Sequence, residues 1–142
     1  LAFEPKNSGT NISAALEYFS SVIKKRSVCF ILSDFLDDDF TKPLQIANKK
    51  HDIVAVRIHD KREKNLPNVG MIKMLDTESG KSSWVDTSSK RIRMNLGDKY
   101  TKRTERLKKD FLLSGVDHIN INTAESYIKP LINFFKKREN RR

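Results

Sequence analysis

Val28-Cys29-Phe30-Ile31-Leu32-Ser33-Asp34-Phe35 decides the fold. The run is short, apolar and closed by a carboxylate, the pattern of a fully buried strand. Gly9-Thr10-Asn11-Ile12-Ser13-Ala14-Ala15-Leu16 leads into a helix before it. In an open α/β sheet the loops beyond the strand carboxyl ends line the binding crevice, which makes Thr10 and Asp34 candidate site residues. Both carry hard oxygen atoms of the kind that hold Mg²⁺. Without a metal, Thr10 or Asn11 would cap the helix and Asp34 would steady the turn after its strand.

Working outward, Ile12, Ala15, Leu16, Phe19 and Ile23 recur at helical spacing, which predicts a helix over residues 11–25 closed by Lys24, Lys25 and Arg26. A helix over 41–50 and a strand Ile53–Ile58 complete a βαβ unit. Met71–Leu75 and Ser83–Val85 flank Glu78-Ser79-Gly80-Lys81 and predict a β-hairpin. A helix over 97–114 ends near Gly115, a strand follows at His118–Ile121, and a last helix spans Thr123–Lys137. That helix would turn Ile128, Leu131, Ile132 and Phe135 inward and kink at Pro130. The predicted fold class is α/β: three layers, a mainly parallel sheet with helices on both faces, and a β-hairpin insertion.

The 142 residues, 37% hydrophobic and 32% charged, suit one domain over residues 1–142 with a frayed basic tail at 136–142. No apolar run approaches the roughly 20 residues of a membrane helix. The single Cys29 excludes an internal disulfide and fits a reducing, cytoplasmic setting. Charge is uneven: Leu1 to Ser89 holds 13 basic and 12 acidic side chains, Lys90 to Arg142 holds 15 and 6. Lys90, Arg91, Arg93, Lys102, Arg103, Arg106, Lys108 and Lys109 therefore form either a solvated helix face or a basic surface for nucleic acid, anionic lipid or an acidic partner. Only Tyr100 supplies an aromatic ring in this stretch, so nucleic-acid binding is disfavoured.

Other motifs fail on spacing. Gly80-Lys81-Ser82 resembles the end of a phosphate-binding loop, but Leu75 stands where its first glycine belongs. Asp34, Asp37, Asp38 and Asp39 lack the glycine and terminal glutamate of a calcium loop. His51, His59 and His118 are too scattered for zinc. No catalytic constellation emerges, and the chain is read as a non-enzyme. A hydrolase or phosphotransferase centred on Asp34 is the rival, weakened because Leu36 occupies the second position of an Asp-x-Asp pair.

The two opening segments resemble metal-loop segments of von Willebrand factor A-like domains, in the version found in the bacterial domain-of-unknown-function family fifty-eight. His51-Asp52-Ile53-Val54-Ala55-Val56-Arg57-Ile58, then Asp60, Glu63, Leu66-Pro67 and Gly70, then Leu75-Asp76-Thr77-Glu78-Ser79-Gly80, continue the likeness. That family's fold draws its first metal ligands from an Asp-x-Ser-x-Ser loop. The nearest run here, Asp86-Thr87-Ser88-Ser89-Lys90, lacks the last serine and comes late. The resemblance therefore implies a partial domain without its first strand and first metal loop, in which Thr10 and Asp34 are an incomplete site. Mg²⁺ would bind only in a longer chain. It also implies a protein-interaction module, with Ser33, Asp37 and Asp38 placed to meet a partner, working beside a MoxR-type AAA+ ATPase. Membrane attachment would come only through segments outside this chain. With flanking strands absent, the edge of strand 28–32 is expected to mediate self-association.

Overall fold

The computed structural model describes residues 10–75 and 80–140. Its sheet is three parallel strands in the order β1-β2-β5: β1 (Val28–Ser33), β2 (Asp52–His59) and β5 (Asp117–Asn122). In register, Val28 meets Asp52 and Ser33 meets Arg57, while Val54 meets Asp117 and His59 meets Asn122. The antiparallel hairpin, β3 (Met71–Leu75) with β4 (Ser82–Asp86), forms a separate sheet. The Glu78-Ser79 part of the predicted turn lies outside the described residues.

Helices cover both faces, as the α/β reading requires. On one face α1 (Ile12–Val22), α2 (Thr41–Lys50) and the end of α4 (Lys90–Leu113) deliver Ile12, Leu16, Leu44, Ala47, Leu107 and Phe111 onto Ile53 and Ala55. Phe111 is its hub: Phe35 meets its ring edge-on at 5.0 Å, and His118 stacks on it at 5.2 Å. On the other face α5 (Ile128–Glu139) sets Leu131 and Phe134 against Val54, Val56, Ile119 and Ile121. A four-residue α3 (Lys61–Lys64) follows β2 directly, held by a capping box between Asp60 and Glu63.

Several elements depart from the sequence reading, each for a physical reason. β1 is not covered on both faces: Cys29 and Ile31 pack inward, but Val28, Phe30 and Leu32 alternate outward and Leu32 is 65% exposed. The cause is the placement of α5 over β2 and β5, from which it reaches β1 through Phe135, 6.3 Å from the Phe30 ring. Helix α1 stops at Val22 because Ile23 turns extended, so Lys24, Lys25 and Arg26 lie beyond its last turn. Helix α4 begins seven residues before Gly97, since Ser89 caps it and Arg93 donates to the carbonyls of Thr87 and Ser88. Its Gly97 is a packing contact: a Cβ there would sit 2.8 Å from the Lys64 carbonyl oxygen of α3.

Helix α5 starts at Ile128, not Thr123, which puts Pro130 in its first turn, where its missing N–H has no helical partner to lose. No kink is needed. Leu131 and Phe134 face the sheet, whereas Ile128, Ile132 and Phe135 remain about half exposed. Of the tail expected at 136–142, residues 141–142 lie outside the described residues; the helix continues through Glu139, where Arg138 Nη2 donates to Asp52 Oδ1 at 2.5 Å and its Nε lies 3.2 Å from Asp117 Oδ2.

Candidate functional site

The crest beyond β1 is built from Ser33, Asp34 and the turn that follows. Phe35 takes a left-handed conformation, φ 55°, while its ring is buried in the core. That reversal is held by side chains: Ser33 Oγ accepts from the Phe35 amide at 3.0 Å and Asp34 Oδ1 from the Leu36 amide at 3.1 Å. Asp37 reaches across to α1, its Oδ2 accepting from the Ile12 amide at 2.6 Å, beside the Asn11 cap that accepts from Ala14 at 2.8 Å. Asp38 lies 3.8 Å from Arg106, both well exposed. Thr10 is exposed and, with Ser33, lines an open groove of about 320 Å³ between α1 and β1, whose walls include Phe19, Cys29 and Ile31.

The fold thus gathers Thr10, Ser33, Asp34 and Asp37 at one end of β1. Ser33 Oγ, Asp34 Oδ1 and Asp37 Oδ2, however, are engaged in turning the chain and capping α1. Among the described residues no three His, Cys, Asp or Glu side chains are placed to hold a metal. The alternative loop is spoken for as well. Asp86 Oδ1 accepts from the Ser88 amide at 2.8 Å, Ser89 caps α4, and buried Thr87 ties Gly70 and Val69 to the hairpin.

The three histidines stay apart. His51 is buried against Phe19, with 4.6 Å between ring centroids, His118 stacks on Phe111, and His59 meets Tyr100. Burial pushes the Cys29 thiol up, which keeps it protonated. The basic residues lie on α4, where Lys90, Arg91, Lys102, Arg106, Lys108 and Lys109 are exposed, Arg103 is half-buried and Arg93 is used in the cap. At 100° per residue they spread over more than half the helix circumference, the arrangement of a solvated helix rather than a groove-reading face.

A second cluster, not anticipated, occupies the carboxyl ends of β2 and β5. Arg57 is 6% exposed, with its guanidinium carbon 5.3 Å from the centroid of the Tyr100 ring. The Tyr100 hydroxyl lies 3.2 Å from His59 Nδ1. Asp60 and Glu125 stand at the rim, bound to Arg62 and Lys61, and these partners hold both carboxyls below their ordinary range. Burial lowers the basicity of His59, and the Arg57 charge lowers it further. The available signal was Arg57 itself, one charge inside the apolar run Ile53–Ile58.

Comparison with known proteins agrees over most of the chain. A family model described as "Protein of unknown function DUF58" matches residues 1–106. "Uncharacterized protein MAV169" of Mycobacterium avium is 23% identical over 133 residues, 90% of this chain and 76% of that protein. "Uncharacterized protein Mb1516" of Mycobacterium bovis and "Uncharacterized protein Rv1480" of Mycobacterium tuberculosis are each 30% identical over 71 residues, 49% of this chain. The match spans only 22% of each of those two. No solved structure matches. No helix among the described residues is long and apolar enough to cross a membrane.

Proposed function

The chain belongs to the DUF58 family, whose function is unknown, and from that premise we propose that it is a non-catalytic protein-interaction module that docks through the open edge of β1. One observation carries this. Among the described residues β1 pairs with β2 alone, leaving the backbone of its other side free to add a strand. Val28, Phe30 and Leu32 flank that edge on one face, and the groove beneath α1 flanks it on the other. An incoming strand would bury apolar side chains on both faces.

The occupant we propose for this chain is a second copy. Lys24, Lys25 and Arg26 precede β1, while Asp34, Asp37 and Asp38 follow it. Antiparallel pairing of two β1 strands about a twofold axis would set each basic end beside the partner's acidic end. The resemblance to von Willebrand A-like proteins supports a MoxR-type AAA+ ATPase as the physiological partner and a cytoplasmic setting. Mg²⁺ would enter only in a longer chain that adds oxygen donors to Thr10 and Asp34.

Light scattering after size-exclusion chromatography tests the edge. The wild-type chain is expected to run as a dimer and Leu32→Lys as a folded monomer, because a charge on an edge strand blocks pairing. A wild-type monomer at high protein concentration, or a Leu32→Lys dimer, would overturn the proposal.

A further inference from the structure

We propose that Arg57, covered by Tyr100 and bordered by His59 at the carboxyl ends of β2 and β5, forms an oxyanion site that takes a carboxylate or phosphate group. It stands independently of the β1 edge.

The argument begins from an imbalance of charge. Arg57 is more than nine-tenths buried, its Nε has no hydrogen-bond partner, and no described carboxylate lies within 4.0 Å of its guanidinium. A buried guanidinium is always charged, and burial without a counter-charge is strongly unfavourable. The Tyr100 ring returns part of that cost by cation–π attraction, but a ring face supplies no hydrogen-bond acceptor for Nε. Other arginines here are served otherwise: Arg138 meets Asp52 and Asp117, Arg62 meets Asp60, and Arg93 caps carbonyls. Arg57 is left with a buried, unpaired Nε–H.

The missing group is chemically defined. A planar guanidinium with free Nε–H matches two oxygens of one carboxylate or phosphate. The place is the one where α/β sheets hold ligands, beyond the carboxyl ends of parallel strands. Ser33 and Asn120 are the register neighbours of Arg57 on the flanking strands and supply further polar atoms to the same row. When the Tyr100 hydroxyl donates to His59 Nδ1, the imidazole keeps Nε2–H as a second donor.

The test is calorimetric titration of the whole chain with inorganic phosphate and, separately, with acetate, each against chloride at matched ionic strength. Saturable one-to-one binding of either anion is expected. Phosphate alone would assign a phosphoryl ligand, acetate alone a carboxylate. Arg57→Met, which keeps an unbranched side chain in the same space, should lose binding at least tenfold, and Arg57→Lys, which keeps the charge but not the fork, should weaken it. Bound anion should also raise the His59 titration midpoint followed by NMR, since it offsets Arg57 against the nearby Asp60, Glu63 and Glu125. Absence of saturable binding of both anions to the wild type, or equal binding by Arg57→Met, would overturn the proposal.

Discussion

Gly97→Ala sets two well-known effects against each other. In an exposed helix the change stabilises by about 1 kcal/mol, because glycine has the greater backbone entropy to lose. Here the added methyl would lie 2.8 Å from the Lys64 carbonyl oxygen, whereas carbon and oxygen ordinarily stay at about 3.3 Å or more. Something must move by about half an ångström. The obstacle is backbone, and α3 is fixed by its Asp60–Glu63 capping box, so relief requires α4 to shift away. Crowding of this kind costs roughly 1–3 kcal/mol. The clash therefore wins, and net destabilisation of about 1 kcal/mol, or a melting point lower by about 3 °C, is expected. Urea unfolding followed by circular dichroism measures it, with exposed Asn95→Ala in the same helix as the reference that should stabilise by a few tenths of a kcal/mol. Tyr100 lies one turn beyond Gly97, so its hydroxyl should also loosen from His59. Gly97→Ala as stabilising as Asn95→Ala would refute the reasoning.

Phe111→Ala, which empties the hub of the core, should cost about 3–5 kcal/mol in chemical denaturation; a loss under 1 kcal/mol would show that the surrounding rings collapse into the space. Asn11→Ala removes the α1 cap and should cost about 1 kcal/mol, while Asn11→Gly should cost only a few tenths. Stability should decline as the pH is lowered from 7.5 to 5. His59 and His118 both titrate below the ordinary histidine range, chiefly through burial, with Arg57 and Lys108 respectively adding to it. The unfolded chain, titrating near 6.5, then binds more protons than the folded one, and linkage favours unfolding; a flat melting point over this range would contradict it.

The βαβ unit was legible because Val28–Leu32 and Ile53–Ile58 are short apolar runs on either side of a helical segment. Exposure of one face of β1 was not, since a run apolar at every position looks the same whether both faces are covered or one. Pro130 misled by suggesting a kink, when proline serves equally in a helix's first turn. The helix predicted from residue 97 begins at Lys90, and a sequence cannot show Lys64 pressed against Gly97 within it. At the crest, the strand end marked Thr10 and Asp34. That Asp37 caps α1 depended on bringing Ile12 beside the turn. Arg57 was in view throughout as part of a strand, and its significance came from burial without a counter-charge.

The spatial order of the strands also sets an order in time. Val28 meets Asp52 across one short helix, whereas Val54 must wait for Asp117 across the hairpin and all of α4. Closing the longer loop costs more chain entropy and is slower, so β1, α2 and β2 are expected to assemble first, with β5 and α5 arriving later. Until then the apolar strand β2, which β5 later covers, is itself an open edge of the half-built sheet. Arg138, which reaches Asp52 and Asp117 together, is the clasp that ends this interval. The yield of properly folded chain should thus depend on how quickly the last quarter of the sequence returns to the second strand.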